Sequence, residues 1–385
     1  MTGKEANFYD RWLGFWEQSQ QEKKKARTVI HDEELEWIET PQDHRIALMA
    51  GPENGFRTWG TEVTIADIPP SCHTGKHEHG EEGIYIVEGE GFSVVAGVRY
   101  EWEAGTVLWM PFGSQHQHFN TGSDTARYLS FTSLNLEHYA GLGKLDQLEV
   151  RGFTDTPIEG PISTTGVDEL GRRIALKKDD APSLQFDPEE ARSRDRSQLE
   201  TPIESSVSSG VPADENTPDT GGHRDWSRQY MGMTRAGVRL GSNDTGFRNQ
   251  EIEISNSMGE MPGRHGGKHA HMEAYLYIID GEGYTEVDGE RVDWKKGSLV
   301  HVQGPQTHHQ HFNTGDKPTA QLRLAPGLRF NFFQQVARER WPYLVWGGRG
   351  EMESRDVVQA REAQEAHDRE HDHEHDHSGA GEHSH

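Results

Sequence analysis

His116-Gln117-His118-Phe119-Asn120-Thr121-Gly122 returns 193 residues later as His309-Gln310-His311-Phe312-Asn313-Thr314-Gly315. Upstream, His73-Thr74-Gly75-Lys76-His77-Glu78-His79 returns as His265-Gly266-Gly267-Lys268-His269-Ala270-His271 at an offset of 192, and Gly55-Phe56-Arg57 as Gly246-Phe247-Arg248 at 191. Offsets that step by one residue between matching blocks are what small loop insertions leave in a duplicated domain. A chain of 385 residues has room for two such domains and additional segments.

Each copy reads as β-structure, because short runs of Val, Ile, Tyr and Phe are interrupted by glycine every eight to twelve residues. Gly83-Ile84-Tyr85-Ile86-Val87-Glu88-Gly89 leads into Phe92-Ser93-Val94-Val95 and then Gly97-Val98-Arg99-Tyr100. The second copy repeats the pattern and adds Asp288-Gly289, a pair that predicts a two-residue hairpin. Many short strands without intervening helices predict an all-β sandwich or barrel in each copy. Before the first copy, Phe8, Tyr9, Trp12, Leu13, Phe15 and Trp16 recur at helical spacing and predict an amphipathic helix packed on a barrel or a partner subunit. A short helix is expected over residues 331–340.

Residues 176–222 hold five basic and eleven acidic residues, and residues 351–385 hold three and eleven, so more than half of the net charge of −25 lies in these two stretches. Both read as disordered acidic segments. The remainder is mildly acidic, which argues against nucleic acid or an anionic membrane as the main partner, since each needs a basic footprint. A small-molecule substrate is the expected partner. Cys72 is the one cysteine, so no intramolecular disulfide and no thiolate metal cluster can form. No run of about 18 apolar residues exists, and the expectation is a cytoplasmic protein.

Eleven of the 23 histidines fall in the two repeat clusters. Residues two apart on a strand share a face, so His77 with His79, and His269 with His271, are set to point together. His116 and His309 follow about forty residues later as third donors. Three imidazoles with open positions suit a catalytic divalent metal rather than a closed structural site, with iron, copper, nickel and zinc as the candidate metals. His118 and His311, two residues further on, share that face and are the candidate catalytic residues. In the C-terminal stretch, His367, His371, His373, His375, His377, His383 and His385 alternate with acidic residues, a composition able to hold metal ions weakly.

These residues resemble the cupin domain, and the chain resembles a bicupin: two tandem double-stranded β-helix (jelly-roll) barrels with an N-terminal helix and a disordered acidic linker and tail. Gly105, Pro111, Gly113, His116 and Asn120 meet the family's second motif at every position, and Gly297, His309 and Asn313 retain it in the second copy. Gly263, His269 and His271 fit its first motif, in which Ser71 replaces the leading glycine of the first copy. The expected organisation is a helical segment 1–40, cupin domains 41–165 and 223–345, a linker 166–222 and a tail 346–385. Three or four residues normally separate the family's glutamate ligand from the histidine pair. Only two separate Glu82 from His79, and the counterpart of Glu82 is Ala274, whereas Glu81 and Glu273 correspond between copies and share parity with the histidines. The expected sites are therefore three-histidine centres, with Glu81 and Glu273 as candidate fourth donors or as hydrogen-bonding partners of the ligands, Glu82 remaining the alternative in the first copy.

The resemblance implies a non-haem Fe(II) dioxygenase cleaving a small hydroxylated aromatic or diketone-like substrate with O2. The alternatives are a Mn-dependent bicupin of the oxalate decarboxylase or oxidase kind and a non-enzymatic binding protein. It also implies a homo-oligomer. Arg57 and Arg248 read as structural residues following Gly-Phe at a strand start, with a carboxylate grip as the other reading.

Overall fold

The computed structural model describes residues 7–180 apart from 156, 157 and 159, the dipeptides 211–212 and 239–240, and residues 246–326 apart from 259, 261, 263, 266–268, 272, 305 and 306. Each sequence repeat forms two layers of mainly antiparallel sheet. In the first domain one layer runs in the order Ala175–Leu176, Val107–Met110, Glu82–Glu88, Ala126–Thr132, Glu62–Ile68 and Arg45–Ala50. The facing layer runs Asp146–Glu149, Lys76–Glu78, His116–Asn120, Glu90–Val95, Val98–Glu103 and Ile162–Ser163. The second domain repeats both layers, with Ala274–Asp280 flanked by Leu299–Val302 and Ala320–Pro326 in one and Thr307–Asn313 flanked by Arg264–His265 and Glu282–Val287 in the other. This is the predicted pair of jelly-roll barrels.

Local sequence accounts for the turns. Asp288 and Gly289 have φ of 51° and 88°, and Ala96 and Gly97 have 49° and 83°, so both copies use the two-residue turn with paired positive φ that suits twisted strands. Gly91 lies where strands crowd: a Cβ there would stand 2.0 Å from the Phe119 carbonyl oxygen and 2.5 Å from the Trp102 ring. Gly283 repeats this against Phe312 and Trp294.

The domains exchange strands. Val29–Ile30, which precede the first barrel, pair with Val300 and Leu299 of the second. Ala175–Leu176, which precede the second barrel, pair with Leu108 and Val107 of the first. One continuous apolar core therefore includes Ile30, Ile65, Leu108, Phe131 and Leu176 together with Phe247, Ile254, Tyr275, Leu299 and Leu324. This corrects the expected boundary at 166: Ile174, Ala175 and Leu176 are buried parts of the first barrel, because each barrel's edge strand needs a partner for its backbone groups. Residues 181–210 and 213–238 of the expected linker, the tail and the expected 331–340 helix lie outside the described residues.

The N-terminal segment is two helices, Phe8–Leu13 and Phe15–Lys25, separated at Gly14. Its aromatic residues do not pack on a barrel: Phe8, Tyr9, Trp12, Phe15 and Trp16 are exposed. Contact is made through Lys23, which is buried and forms an ion pair with Asp288 of the second domain at 2.8 Å. Arg57 bonds Ser19 Oγ at 2.8 Å and lies 3.6 Å from Glu22, the structural role expected of it, while Arg248 is exposed. Among the described residues no helix is long and apolar enough to cross a membrane.

Candidate metal centre

In the first barrel His77 and His116 lie directly opposite one another on neighbouring strands. His79 follows the strand Lys76–Glu78, and Glu82 opens the strand Glu82–Glu88. These four side chains are buried and converge: one potential donor atom from each lies within 4.8 Å of the other three. The His77 and His79 rings stack at 4.9 Å, and the His116 ring meets them edge-on at 4.2 and 4.9 Å. Glu82 Oε2 is 3.4 Å from His79 Nε2 and 3.2 Å from His116 Nε2.

The outer contacts set the chemistry of the inner atoms. His79 Nδ1 donates to the Gly80 carbonyl at 3.2 Å and His116 Nδ1 to the Ser114 carbonyl at 2.8 Å, so both rings turn an Nε2 lone pair inward. Ser130 Oγ donates to Glu82 Oε1 and leaves Oε2 facing the cluster. Glu82 Oε2 and His116 Nε2 are buried without a hydrogen-bond partner. Burial opposes ionisation of Glu82, but the His116 and His79 imidazoles beside it outweigh burial and hold the carboxyl well below its usual range. Burial, reinforced by His116, pushes His77 down to about 2, so this ring is neutral. Inward lone pairs, an anionic oxygen and unpartnered buried donor atoms fit a divalent cation.

Glu81 lies outside the cluster, which corrects its candidacy as fourth donor. Its carboxylate accepts Trp109 Nε1–H at 3.0 Å and the backbone N–H groups of Gln250 at 3.0 Å and Glu251 at 2.5 Å, the last two from the second domain. Glu273 mirrors it, accepting His301 Nε2–H at 2.7 Å, Tyr275 O–H at 3.0 Å and the first domain's Trp59 N–H at 3.0 Å. Trp59 and Gln250 are equivalent in the repeat, as are Trp109 and His301. The two glutamates thus recur because each clasps the other domain. Glu82 occupies the carboxylate position at the cluster, and in the second domain that position is the buried Ala274.

His118, next to the cluster, is oriented by residues that the motifs do not contain. Trp102 Nε1–H donates to Ser93 Oγ at 3.0 Å, and Ser93 Oγ lies 2.7 Å from His118 Nδ1. The hydroxyl so held anchors the Nδ1 edge of the His118 ring and turns its Nε2 edge away from Ser93. Burial pushes His118 down to about 3, so the ring is neutral. Its other wall is the Tyr128 ring at 5.4 Å, whose hydroxyl donates to Asp43 at 2.7 Å. Burial pushes Asp43 up to about 7. The repeat carried a signal for part of this array, since Ser93 and Trp102 correspond to Thr285 and Trp294. Trp294 Nε1–H donates to Thr285 Oγ1 at 3.0 Å, which lies 2.8 Å from His311 Nδ1.

In the second domain His309 is buried and paired with His269, the register of His116 with His77, and His271 ends the same short strand. Near the cluster, Trp109 bonds Glu81, whereas Tyr85 and Tyr277 are buried in the core and Phe112 is exposed.

The cupin domain family model matches residues 64–132 and 258–323, one segment in each barrel. No curated protein matches. Among solved structures, salicylate 1,2-dioxygenase from Pseudoaminobacter salicylatoxidans in its adduct with gentisate aligns with a TM-score of 0.53 at 14% identity, covering 87% of this chain and 94% of that one. An oxalate decarboxylase variant from Bacillus subtilis aligns with a TM-score of 0.50 at 12% identity, covering 82% and 84%. At these identities the likeness is one of fold. Two barrels with the cupin motifs, each matched by the cupin model, make the chain a bicupin of the cupin superfamily.

Proposed function

We propose that the protein is a metal-dependent bicupin enzyme, a non-haem Fe(II) dioxygenase acting on a small hydroxylated aromatic or diketone-like substrate. The observation that carries this reading is the buried His77, His79, Glu82, His116 constellation with the His118 ring beside it. A divalent metal held by these four donors supplies Lewis acidity and, as iron, the electrons that activate dioxygen. His118, a neutral ring, hydrogen-bonds the substrate through its Nε2 edge. Trp102 and Ser93 anchor its Nδ1 edge, and the Tyr128 ring fixes its plane. The buried walls keep water from the reacting groups. In the second barrel the repeat assigns the same roles to His269, His271 and His309, with His311 in the place of His118 and Ala274 in the place of Glu82. By that correspondence the second centre lacks the counterpart of the Glu82 carboxylate.

The test is oxygen uptake by full-length protein reconstituted anaerobically with Fe(II), screened against hydroxylated aromatic acids and diketones. Uptake that depends on substrate and is lost in His77→Ala supports the proposal; no uptake across the panel by iron-loaded protein counts against it. A second reading, a Mn-dependent enzyme of the oxalate decarboxylase kind, is favoured by one observation, the presence of Glu82 at the cluster. Formation of formate and CO2 from oxalate by Mn-loaded protein would select it.

A further inference from the structure

The spacer between His79 and Glu82 is Gly80-Glu81, shorter than the three or four residues usual in the family, yet both side chains reach one cluster. The turn is shaped from outside. A Cβ on Gly80 would stand 1.7–1.9 Å from the carboxylate atoms of Glu137, so that carboxylate occupies the space a side chain would take. Glu137 Oε1 also accepts the Glu81 N–H at 2.9 Å, and the His79 carbonyl accepts the Gly113 N–H at 2.8 Å. Glu137 is buried in the helix Leu134–Tyr139, which follows the strand Ala126–Thr132 of the first barrel. The Glu81 carboxylate in this turn is held in its own right by the backbone N–H groups of Gln250 and Glu251. The repeat offers an internal comparison, because the copy that has Ala274 in place of Glu82 also has Met272 in place of Gly80.

We infer that Glu137, seated over Gly80 and bonded to the Glu81 N–H, is the positioning residue that lets a two-residue spacer bring His79 and Glu82 to one metal. This rests on the metal-centre reading of the four-residue cluster. Pulling Glu137 away frees the Glu81 N–H and the space over Gly80, and the turn relaxes toward a geometry in which only one of the two flanking side chains points at the cluster.

The experiment is Mn(II) binding to full-length protein, followed by titration and by electron paramagnetic resonance of the bound ion, restricted to the class of sites abolished by His77→Ala. Glu137→Ala is expected to weaken that class at least tenfold and to alter its zero-field splitting. Glu137→Gln, which retains an acceptor for the Glu81 N–H, is expected to stay within about threefold of the unaltered protein. Gly80→Ala, whose Cβ would take the space of the Glu137 carboxylate, is expected to weaken the site about three- to tenfold, and it tests the inference independently should Glu137→Ala fail to fold. Unchanged affinity and spectrum in folded Glu137→Ala, or in Gly80→Ala, would overturn the inference and leave the metal reading intact. Absence of any Mn(II) class sensitive to His77→Ala would overturn the metal reading itself.

Discussion

Glu81→Ala and Glu82→Ala alter adjacent residues and should produce opposite phenotypes. The Glu81 carboxylate accepts three hydrogen bonds in a site 4% exposed, two of them from the backbone of the other domain. A hydrogen bond to a charged acceptor contributes about 1.5–3 kcal/mol, and each abandoned buried donor costs about 1–3 kcal/mol. Water entering the space left by the carboxyl restores part of this, and burial raises the Glu81 pKa, which lowers the worth of its charge. A net loss of about 3–5 kcal/mol follows for Glu81→Ala, with metal affinity lowered no more than about tenfold. Glu82→Ala removes the anionic donor from the cluster. It should weaken metal binding at least about a hundredfold and cost the metal-free protein less stability than Glu81→Ala does. The assay is denaturant unfolding of each metal-free variant beside Mn(II) titration of the same preparations. Reasoning from the mirrored Glu81 and Glu273 contacts would be refuted if Glu81→Ala unfolded like the unaltered protein, or if Glu82→Ala kept full affinity.

Gly91→Ala should cost more than about 3 kcal/mol, since its Cβ has no room beside the Phe119 carbonyl. Gly97→Ala, with φ of 83° and nothing within 4 Å of the added Cβ, should cost about 1 kcal/mol from the backbone alone; unfolding curves of the pair check both. Burial pushes Glu260, paired with Thr319 and Gln321, up to about 7. A carboxyl whose folded pKa is raised binds its proton more tightly folded than unfolded, so its contribution is full below about pH 4.5 and is lost as pH rises toward 7. Glu260→Gln should match the unaltered protein near pH 5 and exceed it near pH 8 by up to about 3 kcal/mol, as measured by unfolding at both values. His118→Ala should leave the bound metal in place and lower kcat/KM at least about a hundredfold, and Ser93→Ala about tenfold through loss of ring orientation, both read by metal content and oxygen uptake.

Repetition made the fold legible. Matched blocks around His77, His116, His269 and His309 reveal a duplicated domain, and the glycine-punctuated runs around Tyr85 and Tyr277 reveal strands. The fourth residue of the cluster was legible only as a choice between Glu81 and Glu82, because strand parity with His79 favours Glu81. The strand Lys76–Glu78 ends before His79 and the next begins at Glu82, so the Gly80-Glu81 turn resets which side each residue faces. Repetition also misled, since Glu81 and Glu273 correspond for the sake of the domain interface. The exchanged strands escaped notice because two residues such as Ala175–Leu176 carry no periodicity, and Ala175 and Leu176 look like the start of an acidic linker until their partners Leu108 and Val107 are known. Glu137 escaped for a related reason: its role lies in the space above Gly80, which only the folded chain defines.

The most direct test of the central claim is a crystal structure of the full-length protein grown anaerobically with Fe(II), with anomalous differences measured on both sides of the iron edge. The account predicts an iron peak bounded by His77, His79, Glu82 and His116, at about 2.0–2.2 Å from each donor atom, with Glu81 still bonded to the backbone of residues 250–251. An iron peak elsewhere in the chain with none among these four residues, or a peak there with Glu82 turned away and Glu81 in its place, would contradict it.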